Sequence, residues 1–303
     1  MHYNFDMRFQ RTLKREVFCE GIGLHTGVDV SLRLLPAPPE SGIVFWRKDR
    51  DILIKADSFS VTETAFATTI GSGVTRIKTI EHLLSAISGL GIDNLLIEVN
   101  GPEVPILDGS AAPFVRLILE AGMVSQPSAK KKIKIIKPFE FKEGSSELWV
   151  LPHEGRAITY KTSYKHKLLG NQSLSISLDE EVYIKEIAPA RTFGFLKDVE
   201  LMRANGLAKG GSLENAVLFD ENGVINEEGL RFKDECIRHK VLDLIGDLSL
   251  LGYPIEGKIV AIKTGHSVNI KFIRALLSSP DCWQIETDEP SIMPLQMGAV
   301  PPS

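Results

Sequence analysis

Arg231-Phe-Lys-Asp-Glu-Cys-Ile-Arg-His239-Lys240-Val-Leu-Asp243-Leu-Ile-Gly-Asp247 reads as the body of one amphipathic helix that runs on to Leu248. At about 100° per residue, Ile237, Val241, Leu244, Ile245 and Leu248 share an apolar stripe, and His239, Asp243 and Asp247 stand on the far side. A surface helix turns such a side to water. Here it carries an imidazole and a carboxylate one turn apart, a spacing that lets both point at one metal ion. His2 and Asp6, and His25 and Asp29, have the same spacing outside any convincing helix. Taken alone, the spacing therefore reads first as a surface hydrogen-bonded pair, and the remaining ligands must come from elsewhere in the chain.

Composition narrows the class. The 303 residues are 43% hydrophobic and 24% charged, enough for one large or two medium domains around a sizeable core. A formal charge of −4 gives no global basic field, so no nucleic-acid partner is expected and any phosphate site must be local. Cys19, Cys236 and Cys282 are an odd count without C-x-x-C spacing, which points to a reducing compartment and away from a thiolate zinc site. The first ten residues do not form a secretory signal, and no window reaches the length of a membrane span. A cytoplasmic protein is expected, with peripheral contact to a membrane surface left open.

In order, the chain reads as strand, Gly-rich loop and strand from Thr12 to Leu35, a strand at Ile43–Trp46, and a hairpin of Ala65–Ile70 with Thr75–Lys78. A helix capped by Thr79 runs through Glu81-His82 to Leu90, followed by a strand at Asn94–Val99 and a helix at Ala112–Ala121 with Pro113 in its first turn. Small, polar and basic residues from Ser125 to Pro138 read as a linker leading into a strand.

The second half of the chain echoes the first. Leu34-Leu35-Pro36 and Ser41–Trp46 find a match in Val150-Leu151-Pro152 and Glu154–Tyr160, Glu81-His82 in Arg238-His239, and Ile97–Gly101 in Ala261–Gly265. The pattern implies an α+β fold of two similar, duplicated domains, 1–128 and 129–303. The offset between copies grows from 116 at Pro36/Pro152 to 157 at His82/His239, which places an insertion at about 194–235 in the second copy. A helix is expected there at Asp198–Asn205, and an insertion on one copy is a natural specificity element.

If like domains pack face to face, His82 meets His239. With Asp243 they form a His₂-carboxylate set, which leaves a fourth position for water as in catalytic zinc sites; iron(II) accepts the same set. Glu81, beside one ligand, stands where a general base belongs, although a solvent-facing first-turn glutamate reads equally well. The glycine of Lys263-Thr-Gly-His266 would let the chain turn and aim His266 across the sheet edge, where Asp247 could hold it cationic. Lys240 and Lys263 could supply local charge for a phosphate, and lone lysines are more often surface residues.

Gly23-Leu-His-Thr-Gly27, Thr79-Ile-Glu-His82, Gly89–Asn94, Pro105–Pro113, Ala190-Arg-Thr-Phe-Gly194, Gly210-Gly-Ser212, Gly229-Leu-Arg-Phe232, Arg238–Asp247 and Lys263–His266, in that order, resemble the UDP-3-O-acyl-N-acetylglucosamine deacetylase family. The resemblance implies a zinc amidase that removes acetate from a UDP-linked, acylated amino sugar, the committed step of lipid A synthesis in Gram-negative bacteria. It implies His82, His239 and Asp243 as zinc ligands and Glu81 as general base. Thr192 would be the oxyanion donor, His266 the general acid or electrostatic partner, and Asp247 its orienting group; which group protonates the leaving amine stays open.

The same resemblance places Lys240 and Lys263 near sugar and diphosphate, and Phe193 near the sugar or uracil. It implies helices packed between two sheets, and an apolar acyl-chain passage in the insertion lined by Phe195, Val199, Leu207, Ala208 and Leu218. The small Gly210 and Ser212 would suit a slim hydrocarbon tail. Residues Met1–Phe9 have no clear family counterpart, Met7 is a rival start, and the chain ends soon after Asp288 with no fused second enzyme. A monomer is expected. The alternatives are a sugar-nucleotide binding relic without catalysis and a related zinc amidase with another acyl-sugar substrate.

Overall fold

The computed structural model describes residues 8–287, so His2 and Asp6, the start at Met7 and the stretch from Asp288 lie outside the described residues. Strands β2 (Val17–Ile22), β3 (Asp29–Pro36), β4 (Ile43–Arg47), β5 (Ile52–Lys55) and β9 (Leu95–Asn100) form a first sheet in the order β2-β3-β9-β4-β5. The period of two is plain in β3, where Val30, Leu32 and Leu34 turn inward. A second sheet contains β11 (Lys131–Ile135), β12 (Phe139–Glu143), β13 (Ser146–Leu151), β14 (Arg156–Ser163), β15 (Asn171–Ser177), β18 (Ile255–Ile262) and β19 (Trp283–Thr287).

The path β12-β13-β18-β14-β15 has the same succession of pairings as the first sheet: antiparallel, antiparallel, parallel, antiparallel. Leu34 and Phe45 both pair with Ile97, and their sequence counterparts Val150 and Ile158 both pair with Ile259. Register thus equates Ile97 with Ile259, two residues before the Ala261 that the sequence echo suggested.

Each central strand is preceded by a helix: α1 (Glu81–Gly89) leads to β9 and α5 (Glu235–Leu248) to β18. Twelve of the fourteen α5 residues are buried, so its polar side faces α1 rather than water. Gly246 permits that approach, because a Cβ there would sit 2.0 Å from the Glu81 carbonyl oxygen. Helix α2 (Ala112–Ala121) packs on α1 and β2, and α6 (His266–Leu277) on α5, β12 and β13. One continuous apolar core joins both sheets to these helices, so the helices form the middle layer of an α+β fold.

Smaller elements complete the described chain. Strands β6 (Val61–Glu63), β7 (Thr69–Ser72) and β8 (Thr75–Ile77) form a meander that includes the expected hairpin. The insertion holds β16 (Phe193–Phe195), α4 (Leu196–Ala204) and β17 (Val217–Phe219), preceded by a short helix α3 (Glu180–Val182) that continues as a wider turn to Ile187. No helix among the described residues is long and apolar enough to cross a membrane.

Local expectations change in several places. The segment read as a linker is β10 (Met123–Ala129), paired antiparallel with β1 (Phe9–Leu13), then β11. Helix α5 begins at Glu235 rather than Arg231, because the Glu235 carboxylate turns back to accept from the Arg231 N–H at 2.7 Å. Thr79 does not cap α1: its φ is +57°, and its hydroxyl donates to Glu103 Oε1 at 2.6 Å. The left-handed residue at the Lys263–His266 turn is Lys263, φ +50°, while Gly265 is extended.

Candidate active site

The α1/α5 crossing brings His82, His239 and Asp243 together, all buried, with their ligand atoms within 4.8 Å of one another. The imidazole rings meet edge to face, 4.8 Å between centroids. His239 Nδ1 donates to the Ala190 carbonyl at 3.0 Å, which fixes the ring and turns Nε2 toward Asp243. That Nε2 lies 3.2 Å from Asp243 Oδ1, and His82 Nε2 lies 3.6 Å from the same oxygen. Burial, then the neighbouring His239, pushes the His82 pKa down to about 3, so its ring is neutral.

Asp243 Oδ1 is buried and has no hydrogen-bond partner among the described residues, while Oδ2 accepts from Lys240 Nζ at 2.7 Å. Burial alone would raise the Asp243 carboxyl, but His239 and Lys240 outweigh it and hold it well below the usual range. A buried carboxylate oxygen facing two imidazole nitrogens calls for a shared cation, and the donor set suits a divalent metal. The residues present therefore fit a metal ion.

A second group adjoins the first. Glu81 Oε2 accepts from the Thr68 N–H at 3.0 Å, and Glu81 Oε1 stands 4.0 Å from His266 Nε2. Burial pushes the Glu81 carboxyl up to about 8, against the opposing pull of His266. His266 opens α6, and its Nδ1 donates to Asp247 Oδ2 at 2.8 Å. Burial disfavours its cation, but Asp247 and Glu81 prevail and raise its pKa to about 9. Thr68 Oγ1 and Asn269 Nδ2 complete the shell of Asp247, at 2.6 and 2.8 Å. The arrangement can bind a cation, accept a proton at a carboxylate and hold an imidazolium opposite it.

Residues 10–278 match the family model described as UDP-3-O-acyl N-acetylglycosamine deacetylase. The chain belongs to that family. It is 48% identical over 284 residues to the UDP-3-O-acyl-N-acetylglucosamine deacetylase of Thermodesulfovibrio yellowstonii, covering 94% of this chain and 96% of that protein. Similar deacetylases occur in Syntrophus aciditrophicus, at 48% identity over 91% of this chain and 89% of the relative, and in an Anaeromyxobacter species, at 44% over 95% and 97%. As a member of this deacetylase family, the chain is an enzyme.

The other residues singled out by sequence fall at varied distances from this deacetylase-family site. Phe193 stands edge to face with His239, ring centroids 6.3 Å apart. Thr192 follows Ala190 and Arg191, whose guanidinium is clamped by Glu235 at 2.9 Å, and is fixed by its own backbone N–H to Gly109 O at 2.8 Å. Thr192 thus lies two residues after Ala190, whose carbonyl accepts from His239.

Lys240 is tied to Asp243, and its pKa rises because Asp243 overcomes burial. Lys263 is exposed and makes no side-chain hydrogen bond or ion pair among the described residues. Val199 and Leu218 gather at Gly194, 3.1 and 3.7 Å from where a Cβ would be, and Phe195 joins an aromatic group with Tyr164, His166 and Phe219.

Leu207 and the buried Ala208 follow α4, and Ala208 adopts φ +51°. A Cβ on Gly210 would lie 2.4 Å from Gly23 O, so contact with the Gly23–Gly27 loop accounts for this glycine independently of any ligand. Ser212 Oγ accepts from Glu214 N–H within its own turn. His25 lies in that loop rather than paired with Asp29; it is buried, and its backbone N–H donates to Glu103 Oε1 at 2.9 Å.

Sequence reasoning missed Thr68, Asn269 and the Ala190 carbonyl. Only Asn269 left a trace, three residues beyond His266 on the same helix face.

Proposed function

We propose that this protein is a zinc-dependent hydrolase that removes the N-acetyl group of UDP-3-O-acyl-N-acetylglucosamine, giving acetate and the free amine, in lipid A synthesis. The observation that carries the metal assignment is Asp243 Oδ1, buried without a hydrogen-bond partner among the described residues and facing two imidazole nitrogens. The substrate comes from the names of the relatives. The matching pairing order of the two sheets supports reading the chain as a duplicated pair of domains, 1–128 and 129–303.

His82, His239 and Asp243 would hold the zinc, whose Lewis acidity polarises a carbonyl and lowers the pKa of water. Glu81 Oε1 accepts the proton of the attacking water, and Thr68 N–H fixes the carboxylate through its other oxygen. His266, kept cationic by Asp247, faces Glu81 and delivers a proton to the sugar nitrogen as the C–N bond breaks. Thr192 donates to the developing oxyanion. Lys240 stabilises the Asp243 carboxylate, and Phe193 flanks the sugar.

Incubating the purified protein with substrates that differ in 3-O-acyl length tests the reading. Acetate release that depends on the UDP-sugar and on acyl length supports it. Release from unrelated acetamides alone would place the substrate elsewhere.

A further inference from the structure

A cavity of about 730 Å³ opens where α1 and α5 end, lined by Ile87, Ser88 and Gly89 on one helix and Ile245 and Leu248 on the other. None of Glu81, His82, His239, Asp243, Asp247 or His266 lines it, so it is separate from the metal-ligating cluster. Its size and largely aliphatic walls, from Leu84, Ile87, Ile158, Ile245, Leu248 and Ile259, are those of a small-molecule site.

The polar rim is almost fully paired. Lys130 meets Asp93 at 2.8 Å, Lys131 meets Glu40 at 2.7 Å, Lys132 meets Glu256 at 2.7 Å and Arg11 meets Glu180 at 3.2 Å. Asp179 accepts from Val182 N–H and Asp57 from Phe59 and Ser60 N–H. Lys55 is exposed to solvent.

Arg156 is what remains. Among the described residues no carboxylate oxygen lies within 4.0 Å of its guanidinium, and its side chain makes one hydrogen bond, to Ser88 Oγ at 3.4 Å. Burial pushes its pKa down to about 10, with Tyr183 acting the other way. A second polar group on the wall also lacks a partner: Ser58 is fully buried and its hydroxyl has none among the described residues. A half-buried guanidinium on an apolar wall favours bidentate pairing with a planar anion.

We propose that this cavity binds an amphipathic monocarboxylate, its head on Arg156 and its hydrocarbon body against the aliphatic ends of α1 and α5. Such binding is independent of what the metal cluster does. It is tested by isothermal titration of the full chain with sodium decanoate, decanol and acetate.

Loss of one charge-assisted head contact should weaken decanoate at least about ten-fold in Arg156→Gln, with partial recovery in Arg156→Lys. Decanol, lacking the charge, and acetate, lacking the chain, should each bind at least about ten-fold more weakly than decanoate. Ala157→Leu, which adds volume to the wall while keeping Arg156, should also weaken decanoate and carries the test if Arg156→Gln does not fold. Deacetylase turnover, unchanged in these variants, reports an intact fold and a separate metal cluster. Decanoate binding that is undetectable in the wild type, or identical in the wild type and the variants, would overturn the proposal.

Discussion

His266 Nδ1 stands 2.8 Å from Asp247 Oδ2, and this contact fastens the first residue of α6 to the last turn of α5. Among the described residues the carboxylate has no other strong cation to hold: its remaining partners are the Thr68 hydroxyl and the Asn269 amide. Asp247 therefore stabilises the imidazolium specifically.

Asp247→Asn should abolish that preference. The His266 pKa is raised to about 9 in the folded protein, so its contribution to stability is fully present below the ordinary value of about 6.5 and is lost as pH rises through about 9. Melting temperatures of chelated wild-type protein should therefore fall between those limits, and those of Asp247→Asn should be lower at neutral pH with a flatter slope there. The alkaline limb of turnover should move to lower pH in the variant; a limb that stays near pH 9 would refute the role given to Asp247.

Glu81→Ala should leave one metal per chain, because Glu81 adjoins the ligand set without belonging to it. Turnover should fall by about 10²–10⁴-fold, the range for loss of a general base. Normal turnover in this variant would sink the base assignment.

Thr68→Val removes the hydroxyl from Asp247 and keeps the backbone N–H on Glu81. An unsatisfied buried acceptor should cost about 1–3 kcal/mol of stability, and turnover should drop with metal content unchanged. Thr68→Ser should restore both. Equal defects in the valine and serine variants would show that packing, not the hydroxyl, matters.

At Gly246→Ala the new methyl group would meet Glu81 O at 2.0 Å, so α1 and α5 must separate. Overpacking of this kind costs about 1–3 kcal/mol, occasionally more. A lower melting temperature should come with weaker metal retention, because His82 rides on the displaced helix. Wild-type values for both would contradict the close crossing.

Much of this site was legible because its chemistry lies on two helices whose surroundings repeat. His239 and Asp243 share one helix face, and the echo around His82 brought the third member of the group. Individual strands such as β3 were readable from their period of two, but not the order in which they pair. What could not be read depends on three-dimensional neighbours.

Thr68 serves Glu81 through a backbone N–H, a group every residue but proline carries, so no letter marks it. Thr79 has the composition of a cap, but Glu103 lies within reach and takes its hydroxyl. Gly265 suggested where the chain turns, yet the left-handed residue is Lys263, just past the end of β18, where Lys161 O takes the Lys263 N–H at 2.8 Å. The segment read as a linker is ordered by β1, more than a hundred residues earlier in the chain.

His82, His239 and Asp243 are proposed to hold a catalytic metal. Metal content and acetate release measured together on one preparation, before chelation, after chelation and after zinc is restored, test this proposal most directly. One metal ion per chain, loss of activity with the metal and recovery with zinc, and no bound metal in Asp243→Ala are expected. Full activity in the chelated, metal-free protein, or stoichiometric metal in Asp243→Ala, would contradict the proposal.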